Sequence, residues 1–165
     1  TKEAHAAQIY LSYGAWASME GYDGTANFLF RHAHEERNHM MKILEYILDR
    51  GGVVKIKEIP AAEDLPVNIS DCFEKVFLQE TDNTASVYKL VKLALDQEDW
   101  ATWNFMQWFV KEQVEEETLS LNLLDKVKIA GGDKATDDAL YALDRQLERT
   151  PDEARSAQDV TVENP

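Results

Sequence analysis

Four long segments with helical spacing of apolar residues constrain the fold of this 165-residue chain more than any other feature. Turn residues are sparse, and they interrupt the pattern at 21–24, 51–52, 96–99 and 131–132. The segments between these turns are too long and too regular in their 3.6-residue period to be strands. The sequence therefore predicts helices over 2–20, 23–50, 70–96, 99–130 and 136–148.

The lengths of the connections predict how these helices are arranged. The first and third connections are short, so the helices that they join are antiparallel neighbours. The second has about 17 residues and, when extended, spans more than about 50 Å, whereas a helix over 23–50 is about 42 Å long. The connection can therefore run the length of the bundle. We expect an all-α fold, an antiparallel four-helix bundle with one long crossover connection plus a short fifth C-terminal helix.

The length of the chain predicts its domain organisation. We expect one domain over 1–148, with the bundle at about 2–130, and a polar tail over 149–165. The composition limits the kinds of partner and compartment that the chain can have. Acidic residues outnumber basic ones by 31 to 17, which argues against nucleic acid and anionic membranes and suits cations or a large assembly. The single cysteine, Cys72, allows no internal disulfide, so we expect a reducing, cytoplasmic compartment.

An acidic residue lies at the centre of the apolar stripe of the second helix. On a helical wheel, Leu29 and Met40 fall within about 60° of Glu36. His39 lies on the shoulder of the same stripe, about 60° from Glu36, and Glu35 lies at its margin, about 100° away. Glu36 and His39 are therefore predicted to point into the bundle.

The other three helices repeat this feature. Glu80 occupies the apolar face of the third helix, Glu116 that of the fourth with Gln113 and Glu112 one turn earlier, and Glu3 that of the first. A buried, uncompensated carboxylate costs several kcal/mol, and no lysine or arginine lies on these faces near the glutamates. Four such acids require protons or a metal. Oxygen ligands and one nitrogen ligand, opposed across a bundle, suit iron or manganese.

Several residues near the predicted metal ligands have two possible roles when the sequence alone is considered. Glu35, Glu112 and Glu115 are either ligands of an accessory metal site or a solvated margin. Tyr10 is either a core residue or a group that gives a hydrogen bond or an electron beside a metal. His32 is either a partner of the metal ligands or a histidine that packs beside the core.

The chain resembles the bacterial-type non-haem ferritins. The resemblance covers residues 2 to about 148, and the segments that carry it are KEAHAAQIYLS at 2–12, FLFRHAHEERNHM at 28–40, FEKVFLQE at 73–80 and NFMQWFVKEQVEEE at 104–117. It implies a homo-oligomeric cage of twenty-four subunits that stores iron. It also implies that a di-iron centre within each bundle acts as a ferroxidase, oxidising Fe(II) with O2 or H2O2.

The resemblance further implies three iron positions. Glu3, Glu36 and His39 match the first site. Glu36, Glu80, Gln113 and Glu116 match the second, with Glu36 as the bridging ligand. Glu35, Glu112 and Glu115, together with Glu116, match a third iron site, and Tyr10 matches the tyrosine beside the centre.

Other groups of ferritin-like proteins differ from this chain at particular residues. Haem-binding bacterioferritins carry a second Glu-x-x-His where this chain has Gln113 to Glu116, and a haem-ligating methionine where it has Arg37, so no haem is expected. Animal-type ferritins line a threefold channel with acids where this chain has Trp103 and Met106. Rubrerythrins need four cysteines for their additional iron site, and this chain has only one.

Three other functions remain open from the sequence. One is a storage or structural cage subunit with little ferroxidase activity. Another is a di-iron oxidase that acts on an organic substrate. The third is an acidic helical interaction protein that binds no metal.

Overall fold

The computed structural model describes residues 1–62 and 64–149. All regular secondary structure in this part of the chain is helical. The helices are α1 (Lys2–Met19), α2 (Asp23–Asp49), α3 (Ile69–Asp96), α4 (Trp100–Ala130) and α5 (Asp137–Arg149), with one 3-10 turn over Gly132–Lys134. The predicted all-α fold class is confirmed, and every predicted helix end is correct to within one residue. Residues 150–165, which contain nearly all of the predicted tail, lie outside the described residues.

Short polar side chains begin the helices of the second half, as the sequence predicts. The Asn68 side chain accepts a hydrogen bond from the Asp71 amide at 2.8 Å, and the Asp99 side chain accepts one from the Thr102 amide at 3.1 Å. Each bond satisfies an amide that has no partner within its own helix. At the other end of α4, Gly131 adopts a φ of 120°, a conformation that favours glycine and ends the helix.

Contacts between α1 and α3 establish the topology. Lys2 pairs with Asp82, and Tyr10 contacts Glu80, so residue numbers rise along α1 while they fall along α3. The helices α1 and α3 are therefore antiparallel, and α1 and α2 are antiparallel across their short turn. It follows that α2 and α3 are parallel, and that the connection over 50–68 returns along the bundle.

A polar layer divides the core of the bundle into two apolar clusters. Along α3, Val76 belongs to the larger cluster and Val87 to the smaller one, with Glu80 between them. Along α4, Phe109 belongs to the smaller cluster and Leu123 to the larger one, and the buried residues between them are polar. The two apolar clusters therefore hold the four helices together on both sides of a layer of polar side chains.

The fifth helix is held against the bundle by a buried carboxylate. Asp144 of α5 accepts hydrogen bonds from the amides of Gly24 and Thr25 at 3.0 and 2.7 Å, and from the Thr25 hydroxyl at 2.8 Å. These amides belong to the first turn of α2, so α5 supplies the N-terminal cap of another helix. A Cβ at Gly24 would lie 1.9 Å from the Asp144 carbonyl oxygen, so glycine permits this close approach.

We expect Asp144→Ala to lower the free energy of unfolding by about 2–4 kcal/mol, because it leaves buried donors at the start of α2 without an acceptor. Hydrogen exchange should rise in α5 and in the first turn of α2, and chemical unfolding measures the loss of stability. Asp138→Ala, at an exposed position on the same helix, is the control. Equal losses in the two variants would contradict this role of Asp144.

Candidate metal centre

The polar layer contains all six residues that the sequence predicts for the di-iron centre. They are Glu3 from α1, Glu36 and His39 from α2, Glu80 from α3, and Gln113 and Glu116 from α4. All six are buried, and none is more than 7% exposed. The 3.6-residue period places each of them on the face that its helix turns toward the other three.

Three of these residues form a compact group of potential ligands. Glu3, Glu36 and His39 each offer one donor atom, and these atoms lie within 4.8 Å of one another. His39 Nδ1 lies 3.5 Å from Glu36 Oε2, an oxygen that is buried and accepts no hydrogen bond within the described part of the chain. An edge-on contact with Trp108, at 5.3 Å between ring centroids, helps to orient the imidazole. A cation among these donors would satisfy the Glu36 oxygen.

Hydrogen bonds position the ligands on the other side of the layer. Tyr10 donates its hydroxyl proton to Glu80 Oε1 at 2.6 Å, and the Gln113 amide donates to Glu80 Oε2 at 3.3 Å. Asn83 donates to Gln113 Oε1 at 3.1 Å and to Glu3 Oε2 at 3.0 Å. Sequence reasoning missed Asn83, although its position three residues after Glu80 places it on the same face of α3. Asn83, which belongs to α3, therefore links a proposed ligand of α1 to one of α4.

Burial and mutual repulsion favour the protonated form of the carboxyl groups. Burial raises the pKa of Glu36 well above its ordinary value, and Glu80 and Glu3 raise it further. Burial raises the pKa of Glu80 to about 7, although the hydrogen bond from Tyr10 opposes this shift. Burial and then Glu80 raise the pKa of Glu116. No lysine or arginine is buried among the residues whose burial the structure describes, so protons or metal cations must balance these charges.

Burial also favours the uncharged form of the histidine, and for this base it does so by shifting the pKa downward. It lowers the pKa of His39, which keeps the imidazole neutral at neutral pH, with a lone pair available to a metal. Burial also raises the pKa of Tyr10 well above its ordinary value, so its hydroxyl remains a hydrogen-bond donor to Glu80. The centre thus combines several carboxylate oxygens with one neutral nitrogen, a donor set that fits iron or manganese.

Glu35 lies half-buried at the margin of the layer and belongs to two further groups of potential ligands. One group contains His39 and Glu112, and the other contains His32 and Glu116. Burial and the neighbouring Glu115 raise the pKa of Glu112. The sequence left His32 between two interpretations, and the structure is compatible with both, because its ring packs against Phe28 and Tyr10 while its side chain lies beside Glu35 and Glu116.

Glu115, by contrast, faces away from these groups. Its side chain is 57% exposed and forms an ion pair with Lys111 at 3.3 Å, one turn earlier on α4. It is absent from every group of three or more potential ligands in the described part of the chain. Its assignment to a third iron site remains a prediction.

Comparison with known proteins identifies the family. The sequence model of the Ferritin-like domain family matches residues 1–130. The chain belongs to the ferritin family. The bacterial non-heme ferritin of Campylobacter jejuni is 38% identical to it over 130 residues, which cover 79% of this chain and 78% of that protein. The bacterial non-heme ferritin of Escherichia coli is 32% identical over 145 residues, 88% of this chain and 86% of that one.

Solved ferritin structures share the fold of the whole bundle. An open-pore ferritin from the archaeon Archaeoglobus fulgidus superposes with a TM-score of 0.85 at 34% identity, over 90% of each chain. The predicted resemblance is therefore confirmed. The ferritin family and fold support an iron-binding, iron-storage subunit that assembles with copies of itself. None of the described helices is both long and apolar enough to cross a membrane.

Proposed function

We propose that this ferritin stores iron and that its bundle contains a ferroxidase centre. The six proposed ligands of this di-iron centre are Glu3, Glu36, His39, Glu80, Gln113 and Glu116. The observation that carries the proposal is the polar layer itself. Buried carboxylates from all four helices and the neutral imidazole of His39 lie together there, and no lysine or arginine is buried among the described side chains. Such a layer is costly unless cations bind in it.

Two Fe(II) ions are the proposed substrates of this centre. Glu3, Glu36 and His39 would bind the first, and Glu36, Glu80, Gln113 and Glu116 the second. Glu36 would bridge the two ions, and cation binding would release protons from carboxyl groups that burial keeps protonated. Each Fe(II) gives one electron to O2 or peroxide, and the carboxylate oxygens favour the harder Fe(III) product.

The storage step follows from the assembly. We propose that twenty-four copies of the chain enclose a cavity, and that Fe(III) leaves the centre and is mineralised there as an oxyhydroxide.

An accessory iron position beside Glu35 is part of the proposal, with Glu112 and Glu115 as its predicted partners.

Aerobic addition of Fe(II) to the purified protein tests the storage function. We expect fast formation of Fe(III) that co-elutes with the protein, in amounts well beyond the number of ions that the centre itself can hold. A di-iron oxidase acting on an organic substrate would stop at a saturated centre, and a passive cage would oxidise Fe(II) no faster than buffer. Native mass spectrometry counts the subunits and tests the number twenty-four.

Tyr10→Phe tests the positioning of Glu80. The variant removes the donor to Glu80 Oε1, and because this hydrogen bond lowers the Glu80 pKa, its loss should make Glu80 harder to ionise. We expect Fe(II) oxidation to slow by about 10-fold, and more strongly at acidic than at basic pH. Tyr46→Phe is the control, since it removes a hydroxyl that contacts Thr102 at 2.9 Å. Equal pH profiles for the two variants would contradict this role.

A further inference from the structure

We propose that Asn83 is a positioning residue that couples the two iron positions of the centre, so that an ion in one position favours an ion in the other. The inference rests on the proposed function, because it uses Glu3 as a ligand of the first position and Gln113 as a ligand of the second. It goes beyond that function by assigning the link between the positions to a residue that itself binds no metal.

A single amide group joins these two ligands. Asn83 Nδ2 donates to Glu3 Oε2 at 3.0 Å and to Gln113 Oε1 at 3.1 Å. A side-chain amide has two N–H donors, so both of them are used. All three residues are at most 5% exposed, so water offers these groups few alternative partners. Asn83 therefore fixes where the two ligand side chains lie relative to each other.

The order of donors and acceptors along this network favours one orientation of the Asn83 amide. Gln113 Nε2 donates to Glu80 Oε2 and to Thr84 Oγ1, both at 3.3 Å, so the amide oxygen of Gln113 faces Asn83. If the Asn83 amide were turned over, its oxygen would face a carboxylate oxygen and an amide oxygen, which are both acceptors. The Asn83 nitrogen therefore stays between Glu3 and Gln113.

Both ligands keep acceptor capacity for a cation while they hold these hydrogen bonds. Glu3 has a second carboxylate oxygen, and the amide oxygen of Gln113 has a second lone pair. Glu3 also contributes a donor atom to the compact group with Glu36 and His39. An ion in either position can therefore bind without releasing Asn83.

The ordering of flexible side chains provides the coupling. Glutamate and glutamine side chains lose rotational freedom when they are fixed, and this loss opposes metal binding. An ion that fixes Glu3 also fixes Asn83 and, through it, Gln113, so the second ion meets a ligand that is already ordered. The coupling is reciprocal, because each ion must change the affinity for the other by the same factor. It offsets part of the repulsion between the two cations.

This coupling matters for the oxidation step because O2 takes up two electrons and two protons when it is reduced to H2O2. One Fe(II) ion gives one electron and becomes Fe(III), so a centre with a single ion supplies half of the electrons. A centre that fills both positions together supplies both electrons to one O2 molecule. Asn83 thereby lowers the population of the singly loaded centre.

Zinc binding to the full-length, metal-free protein tests the coupling, because Zn(II) is a divalent ion without redox chemistry. Anomalous diffraction from crystals soaked at limiting and at saturating Zn(II) measures the occupancy of each position separately. In the parent protein the two occupancies should rise together. In Asn83→Leu, which has an apolar side chain of similar size, one position should fill before the other. Calorimetric titration should then show that the affinity for the second ion, relative to the first, falls by about 10-fold.

Two further variants separate the coupling from a general loss of stability. Asn83→Ala removes the same amide without adding apolar volume and should also lower the ratio of the two affinities, so a packing defect of the leucine cannot imitate the result. Asp144→Ala is expected to destabilise the contact of α5 with the first turn of α2, outside the polar layer, and should keep the parent ratio.

Two outcomes would overturn the inference alone. One is a parent protein whose two positions fill at clearly different Zn(II) concentrations. The other is the parent ratio of affinities in both Asn83→Leu and Asn83→Ala. The absence of zinc from both positions in the parent would overturn the proposed function and this inference with it, so the two failures are distinguishable.

Discussion

Replacing Glu36 with alanine is expected to slow aerobic Fe(II) oxidation by at least about 100-fold. Glu36 is proposed as a ligand of both ions, so its loss removes the bridge and one donor from each site. The oxygen that would bind metal is buried and accepts no hydrogen bond among the described residues, and Glu3 and His39 lie beside it. Stopped-flow absorbance of the Fe(III) product measures the initial rate directly.

The matched control for this variant is Glu45→Ala, which removes a carboxylate from an exposed position on the same helix. It should oxidise Fe(II) at the parent rate. Circular dichroism of both variants checks that the bundle is intact, and we expect it to be, because Glu36 costs the metal-free bundle stability at neutral pH. If the Glu36→Ala variant oxidised Fe(II) as fast as the parent, the centre would lie elsewhere.

The second large effect concerns the metal-free protein, which should lose stability as the pH rises from about 4.5 to beyond about 7. Burial raises the pKa of Glu36, Glu80 and Glu116, so the folded state binds more protons than the unfolded state across this range. Stability then falls with rising pH. For Glu80, a rise from 4.5 to about 7 corresponds to about 3 kcal/mol. The lowered pKa of His39 acts in the opposite direction, since it removes stability as the pH falls.

Thermal unfolding in the presence of a chelator measures this dependence. Glu80→Gln should flatten the fall in melting temperature, because the amide needs no proton, whereas Glu74→Gln on the exposed face of α3 should leave it unchanged. Anaerobic Fe(II) should raise the melting temperature most above pH 7, where ligands are more readily deprotonated. A melting temperature that rose with pH across the same range in the metal-free parent would contradict the assignment of these raised pKa values.

Local regularities explain why the helices, and the burial of most residues of the candidate site, could be predicted from the sequence. The 3.6-residue period of apolar side chains is visible within each segment, and a glutamate at the centre of such a stripe, as at Glu36 and Glu80, is a local anomaly. Connection lengths sufficed for the topology, because a chain of about 17 extended residues reaches the far end of a bundle. These properties depend on residues that are close together in the sequence.

The roles of Asn83, His32, Asp144 and Glu115 depended on the tertiary structure. Asn83 and Asp144 act through hydrogen bonds to other helices, and no spacing within α3 or α5 predicts those partners. His32 lies on the shoulder of its apolar stripe and Glu115 lies at the margin of its own stripe, and the period alone does not decide which groups such side chains contact. Packing against Phe28 and Tyr10 turns His32 inward, and an ion pair with Lys111 holds Glu115 outside.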